Sequence, residues 1–112
     1  MTIEADVNRI AHAFGVDAAL LQAVVNAEGD IVRAVRSSIP SVSTRAEALQ
    51  ITARSAAHAM SDWIKSGGED RRHDFIAYWS LRWAPIGAAN DPKNLNANWA
   101  GNVEKLWTPA GV

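Results

Sequence analysis

The sequence contains no cysteine, which excludes disulfides, thiol nucleophiles and thiolate metal sites and leaves the redox compartment open. Its three histidines, His12, His58 and His73, do not fall into HExxH or another metal-ligand spacing. We therefore expect no metal site and no cofactor.

An excess of charge of one sign is also missing, because eleven Lys and Arg residues face twelve Asp and Glu residues, for a formal net charge of -1. This balance provides no field for generic binding of nucleic acid or of an acidic membrane surface, so we expect neither as a partner. No apolar run approaches the length of a membrane span, and the start "MTIEADVNRIAHAFGV" lacks the pattern of a secretory signal. We expect no membrane insertion, and delivery by another route if the substrate lies outside the cytoplasm.

What the chain does contain is helical periodicity. Its 112 residues, 48% of them hydrophobic, suit one domain over 1–112 with one core. Apolar residues recur at helical spacing in five to six segments, and no segment is typical of a strand. The expected fold is a single compact all-α domain, and the expected state is a monomer.

The segment "FGVDAALLQAVVNAEGD" ends an apolar helix with an acid. Asp17 is a natural N-cap for a helix over about 18–28, and Gly29 stands at its C-terminal cap position. Glu28 falls i+7 from Leu21 and i+4 from Val24, so it continues the apolar stripe. An acid therefore occupies a position that suits a leucine.

Two effects at such a position favour a protonated Glu28 near neutral pH. Partial desolvation disfavours the charged carboxylate, and the negative end of the helix dipole adds to that effect. A protonated carboxyl is what a general acid needs when it donates a proton to the leaving oxygen of a glycoside. The alternative is that the helix frays before Glu28 and the side chain points to water.

This segment resembles the first catalytic motif of lysozyme-like lytic transglycosylases, in which a "GVD, then LL, A, V" helix carries the catalytic glutamate at its C-terminal end. The positions that match are Gly15, Val16, Asp17, Leu20, Leu21, Ala23, Val25, Glu28 and Gly29. The later segment "FIAYWSLRWAPIGAANDPKNLNANWAGNVEKLW" is similar to the second half of small lysozyme-like domains of bacteriophages. The serine that follows the glutamate in the soluble enzymes is Gly29 here, and their "GLMQ" segment has no counterpart.

The resemblance implies a small lysozyme-like domain that cleaves the MurNAc-GlcNAc β-1,4 bond of peptidoglycan, as a lytic transglycosylase or a muramidase, with Glu28 as general acid. It also implies action on glycan strands at the bacterial cell wall by a phage-type lysin or a virion-associated protein. The alternative is a non-catalytic glycan-binding or phage structural module on the same fold.

A hydrolytic version of this chemistry normally needs a second carboxylate. The candidates are Asp30, Glu47 and Asp91, each of which also has a structural interpretation. Asp30 and Glu47 suit helix caps, and Asp91 precedes a proline in a turn-forming context. In the transglycosylase version Glu28 acts twice, as acid and then as base, and no second carboxylate is needed.

Further candidate substrate contacts follow from residue type and from the resemblance. Tyr78 and Trp83 are aromatic and able to stack on sugar rings, with Tyr78 one residue off the main apolar stripe. Asn90 occupies a place comparable to the family's cleft asparagine, with Asp91 beside it. Ser43 is able to border the cleft, although a serine before a helix is usually a cap. The alternative for the tryptophans at helical spacing, Trp79, Trp83, Trp99 and Trp107, is a role as core anchors.

Overall fold

The helical periodicity of the sequence corresponds to six helices in the computed structural model of the protein, which describes residues 2–67, 72–83 and 98–107. The helices are α1 (Ile3–Phe14), α2 (Ala18–Glu28), α3 (Ile31–Arg36), α4 (Arg45–Lys65), α5 (Arg72–Trp83) and α6 (Trp99–Leu106). No strand occurs in these three ranges, so the prediction of an all-α fold is confirmed. Within the same ranges, none of the helices has the length and apolarity required to cross a membrane.

Local capping explains where the first helices begin and end. The side chains of Asp17, Asp30 and Thr44 each accept a hydrogen bond from a backbone N–H in the first turn of the helix that follows. Gly15 and Gly29 follow α1 and α2 with φ angles of 69° and 78°, a region in which a side chain would strain the backbone. Of these five positions, Asp17, Gly29 and Asp30 were predicted from the sequence as helix caps.

Helix α2 lies centrally among the described elements. It packs against α1, α3, α4 and α6, and its buried face includes Leu21 and Val24. The longer helix α4 packs on α1, α3 and α5 through small buried residues such as Ala53 and Ala56, which permit close approach of the backbones. Helix α6 contacts both α2 and α5, whereas α5 makes no contact with α2. Among the described elements, α5 is therefore linked to α2 through α6 or α4.

A partly buried ion pair links α1 to α4. Asp6 of α1 accepts hydrogen bonds from Nε and Nη2 of Arg45 at 3.0 and 2.7 Å, and from Arg9 at 3.3 Å. Hydrogen bonding from Arg45, assisted by Arg9, lowers the pKa of Asp6 from its ordinary value and outweighs the opposing effect of burial. The charged form of Asp6 is therefore part of the folded state.

Replacing Asp6 by asparagine is expected to lower the melting temperature at neutral pH. Because the pKa of Asp6 is lower in the folded chain than in the unfolded chain, its contribution is full above the unfolded value of about 4 and is lost as the pH falls through the folded pKa. Thermal unfolding of wild type and Asp6→Asn should therefore differ at pH 7, and the difference in melting temperature should shrink as the pH falls below about 4.

Asp62→Asn is the matched control for this measurement. Asp62 also pairs with an arginine, Arg82, at 2.7 Å, but both side chains are about half exposed, at 49% and 44%. Exposed pairs contribute little to stability. A loss of stability for Asp62→Asn as large as that for Asp6→Asn would contradict the role of burial at Asp6.

Candidate functional site

Glu28 is the last residue of α2 and is half-buried. The helix continues through Glu28, and the amide of Gly29 donates to the carbonyl of Val25 at 3.1 Å. The alternative that the helix frays before Glu28 is therefore wrong. Ala23, Val24 and Val25 precede it in the core, so an acid lies at the end of a buried apolar run.

Among the described residues, the hydrogen-bond partner of Glu28 is Trp99, the first residue of α6. Its indole Nε1–H donates to Oε1 of Glu28 at 2.7 Å, and only 6% of Trp99 is exposed. A hydrogen bond to an ionisable carboxyl in such a site is strong and directional. Trp99 is a core residue, as its helical spacing suggested, but the sequence carried no signal that it would also bind the candidate acid.

Trp99 belongs to an aromatic cluster that extends along α5. The ring of Trp79 meets that of Trp99 edge-on, with centroids 5.2 Å apart and an interplanar angle of 85°. Trp83 lies next to Trp79 at 5.8 Å, and Nε1 of Trp79 donates to the hydroxyl of Ser55 on α4 at 2.9 Å. The predicted substrate contact Trp83 is therefore connected to Glu28 through two intervening rings.

A second indole–carboxylate bond joins the opposite ends of α2 and α6. Nε1 of Trp107, just after α6, donates to Oδ2 of Asp17 at 2.9 Å, while Oδ1 of Asp17 caps α2. Trp99, at the start of α6, bonds to Glu28 at the end of α2, and Trp107, just after α6, bonds to Asp17 at the start of α2. The two helices therefore run antiparallel. Trp99 and Trp107 thus hold both ends of α2.

Tyr78 lies in a different cluster, between α4 and α5. Its ring is 5.0 Å from that of Trp63, and its hydroxyl accepts a hydrogen bond from Arg82 at 2.6 Å. Arg82 also pairs with Asp62 on α4, and this hydrogen bond lowers the pKa of Asp62. The described structure does not join Tyr78 to Glu28, and its contact with a glycan stays a prediction.

Ser43 and Glu47 take part in the N-terminal cap of α4. The hydroxyls of Thr44 and Ser43 donate to Oε1 of Glu47 at 3.0 and 3.2 Å, and these bonds lower the pKa of Glu47. The capping interpretation of Glu47 is confirmed. A role for Ser43 at the edge of a glycan cleft stays a prediction.

Asp30, another candidate for the second carboxylate, accepts the backbone N–H of Arg33 at 3.1 Å and caps α3. Asn90 and Asp91, the predicted contacts across the cleft, lie outside the described residues. Of the predicted site residues, Glu28, Trp83, Tyr78 and Ser43 lie within the described ranges. Among these, only Trp83 is linked to Glu28, and this link is indirect, through the rings of Trp79 and Trp99.

Across the described ranges, no group of three or more His, Cys, Asp or Glu side chains is arranged to hold a metal ion. Comparisons of the chain with protein families, with curated proteins and with solved structures find no match. The chemistry of Glu28 and its neighbours is therefore the basis on which a function is assigned.

Proposed function

We propose that the protein is a peptidoglycan-cleaving glycosidase, either a lytic transglycosylase or a muramidase, with Glu28 as the general acid for the MurNAc-GlcNAc β-1,4 bond. The observation that carries the proposal is the setting of this carboxyl. Glu28 ends a buried apolar helix, its Oε1 is held by an indole N–H, and its Oε2 has no hydrogen-bond partner among the described residues. One oxygen is thus oriented by Trp99, and we assign the contact with the substrate to the other.

The proposed chemistry uses that second oxygen. Oε2 of protonated Glu28 donates its proton to the glycosidic oxygen as the bond from that oxygen to the MurNAc anomeric carbon breaks, and the GlcNAc side leaves as an alcohol. The Glu28 carboxylate then accepts the proton of the MurNAc 6-hydroxyl as this oxygen closes a 1,6-anhydro ring. In the hydrolytic version a water attacks instead, with Asp30 or Asp91 as candidate base.

The position of the two segments that resemble lysozyme-like enzymes also supports the proposal. The first segment forms α2, and the second covers residues 75–107, which include most of α5 and all of α6. The bond between Glu28 and Trp99 joins the two segments in space. The resemblance implies that the loop of the second segment, with Asn90 and Asp91, lies across the cleft from the glutamate, and that loop lies outside the described residues.

Digestion of purified sacculi tests the proposal directly. The protein is expected to release soluble muropeptides, identified by mass spectrometry. Products that end in 1,6-anhydro-MurNAc would assign a lytic transglycosylase, and products with reducing ends that have gained water would assign a muramidase. If active preparations of a known muramidase solubilise the same sacculi and this protein does not, the proposal fails.

A second candidate is a non-catalytic glycan-binding or phage structural module. The observation in its favour is that Asp17, at the other end of α2, makes the same kind of bond to Trp107 and also caps the helix. Glu28 could then serve only to dock α6. This candidate predicts that the protein cosediments with sacculi without releasing muropeptides.

A further inference from the structure

We propose that Trp99 is the positioning residue of the site, because it directs the transferable proton of Glu28 to Oε2. This inference rests on the proposed role of Glu28 as general acid. Its basis is the 2.7 Å bond from Nε1 of Trp99 to Oε1 of Glu28. This bond joins α6 to α2, which are far apart in the sequence, and its acceptor is the last residue of α2.

The direction of this bond has a chemical consequence. An indole N–H is a donor only, so the carboxyl oxygen that faces it must act as an acceptor in every protonation state of Glu28. The carbonyl oxygen of a protonated carboxyl is a better acceptor than its hydroxyl oxygen, so the bond from Trp99 favours the proton of Glu28 on Oε2, the oxygen without a partner among the described residues. Trp99 selects one of the two otherwise equivalent oxygens for proton donation.

The indole itself is held in place by the core. Trp99 is almost completely buried and meets the fully buried Trp79 edge-on at 5.2 Å. Trp79 in turn stacks near Phe75, with centroids 6.1 Å apart, and donates to Ser55 on α4. The indole of Trp99 therefore packs on α5, and through Trp79 it is linked to α4. Because this indole is fixed, its N–H holds the Glu28 carboxyl in one orientation.

The chain provides its own control in Trp107. This residue makes the equivalent bond to Asp17 at 2.9 Å, between the same two helices, and is 8% exposed. A structural role alone predicts similar consequences when either N–H is removed. A positioning role predicts that only the loss at Trp99 alters catalysis.

The test compares Trp99→Phe with Trp107→Phe in steady-state cleavage of soluble glycan strands, with melting temperatures measured in parallel. Both variants are expected to lose some thermal stability. Trp99→Phe is expected to lower kcat on the order of 10- to 100-fold with little change in KM, because misplacement of a catalytic group slows the chemical step. Trp107→Phe is expected to keep kcat within about twofold of wild type under conditions where it is folded.

A second replacement removes the N–H with less disturbance of packing. Benzothienylalanine, incorporated at position 99, has sulfur in place of the indole nitrogen and a similar shape, so it keeps the contact with Trp79. It is expected to show the same fall in kcat as Trp99→Phe. Unchanged kcat for this isostere in the folded protein would overturn the positioning role.

Glu28→Gln, measured beside these variants, distinguishes the two proposals. If Glu28→Gln is inactive while the Trp99 isostere keeps the wild-type kcat, Glu28 is the acid and Trp99 is only structural. If Glu28→Gln keeps full activity, or the wild type releases no muropeptide, the proposed function itself fails.

Discussion

Glu28→Gln is expected to slow the solubilisation of sacculi by roughly 10²- to 10⁴-fold, the range that a general acid typically contributes. Glutamine keeps the shape of the side chain, and its amide oxygen can still accept the N–H of Trp99. Glutamine cannot donate a proton to the glycosidic oxygen, and it cannot then act as a carboxylate base. The loss should therefore appear in turbidity and muropeptide assays while the melting temperature stays near that of wild type.

Asp17→Asn is the matched control for this variant. It makes the same carboxylate-to-amide change at the opposite end of α2, where the acid accepts the N–H of Trp107 and caps the helix. Asparagine is a comparable N-cap, so the fold and the activity should both persist. Lysis at the parent rate by Glu28→Gln would refute the assignment of the acid, and equal loss in both variants would indicate a structural effect.

Trp79→Ala is expected to be the most destabilising of these substitutions, at about 3–5 kcal/mol of unfolding free energy. Trp79 has no exposed surface and contacts the rings of Phe75, Trp83 and Trp99. Its truncation removes these contacts and leaves the hydroxyl of Ser55 without its indole donor. Because domains of this size have only about 5–15 kcal/mol of stability, urea unfolding should show a much lower midpoint.

Leu81→Ala provides the control on the same helix. Leu81 is 71% exposed, and surface substitutions generally change stability by less than about 0.5 kcal/mol. Its urea midpoint should remain close to that of wild type. A small effect for Trp79→Ala, comparable to that of Leu81→Ala, would contradict the central position of Trp79 in the aromatic cluster that supports Trp99.

The local features of the fold were predictable because they depend on neighbouring residues. Asp17 and Gly29 bound α2 as their capping preferences indicate, and Glu28 falls at its last position. The interpretation of Glu47 as a cap residue is likewise confirmed, by its bonds to the hydroxyls of Ser43 and Thr44. Each of these outcomes follows from interactions within about one helical turn.

The surroundings of the aromatic residues were less predictable. The helical spacing placed Tyr78 one residue off the stripe of Trp79, and the structure agrees that the two side chains differ, since Trp79 is buried and Tyr78 half-buried. The spacing did not indicate which residues pack against Tyr78. Trp63 and Arg82 contact Tyr78, and Trp63 belongs to a different helix, α4.

The sequence by itself determined that this chain is helical, where its first helices begin and end, and that an acid closes the apolar helix α2. These properties depend on periodicity and capping, which act over short distances along the chain. Only the tertiary structure decided the partner of that acid, because the bond from Trp99 to Glu28 joins residues 71 positions apart. The antiparallel packing of α6 on α2 determines which indole reaches Glu28, and no local pattern encodes that register.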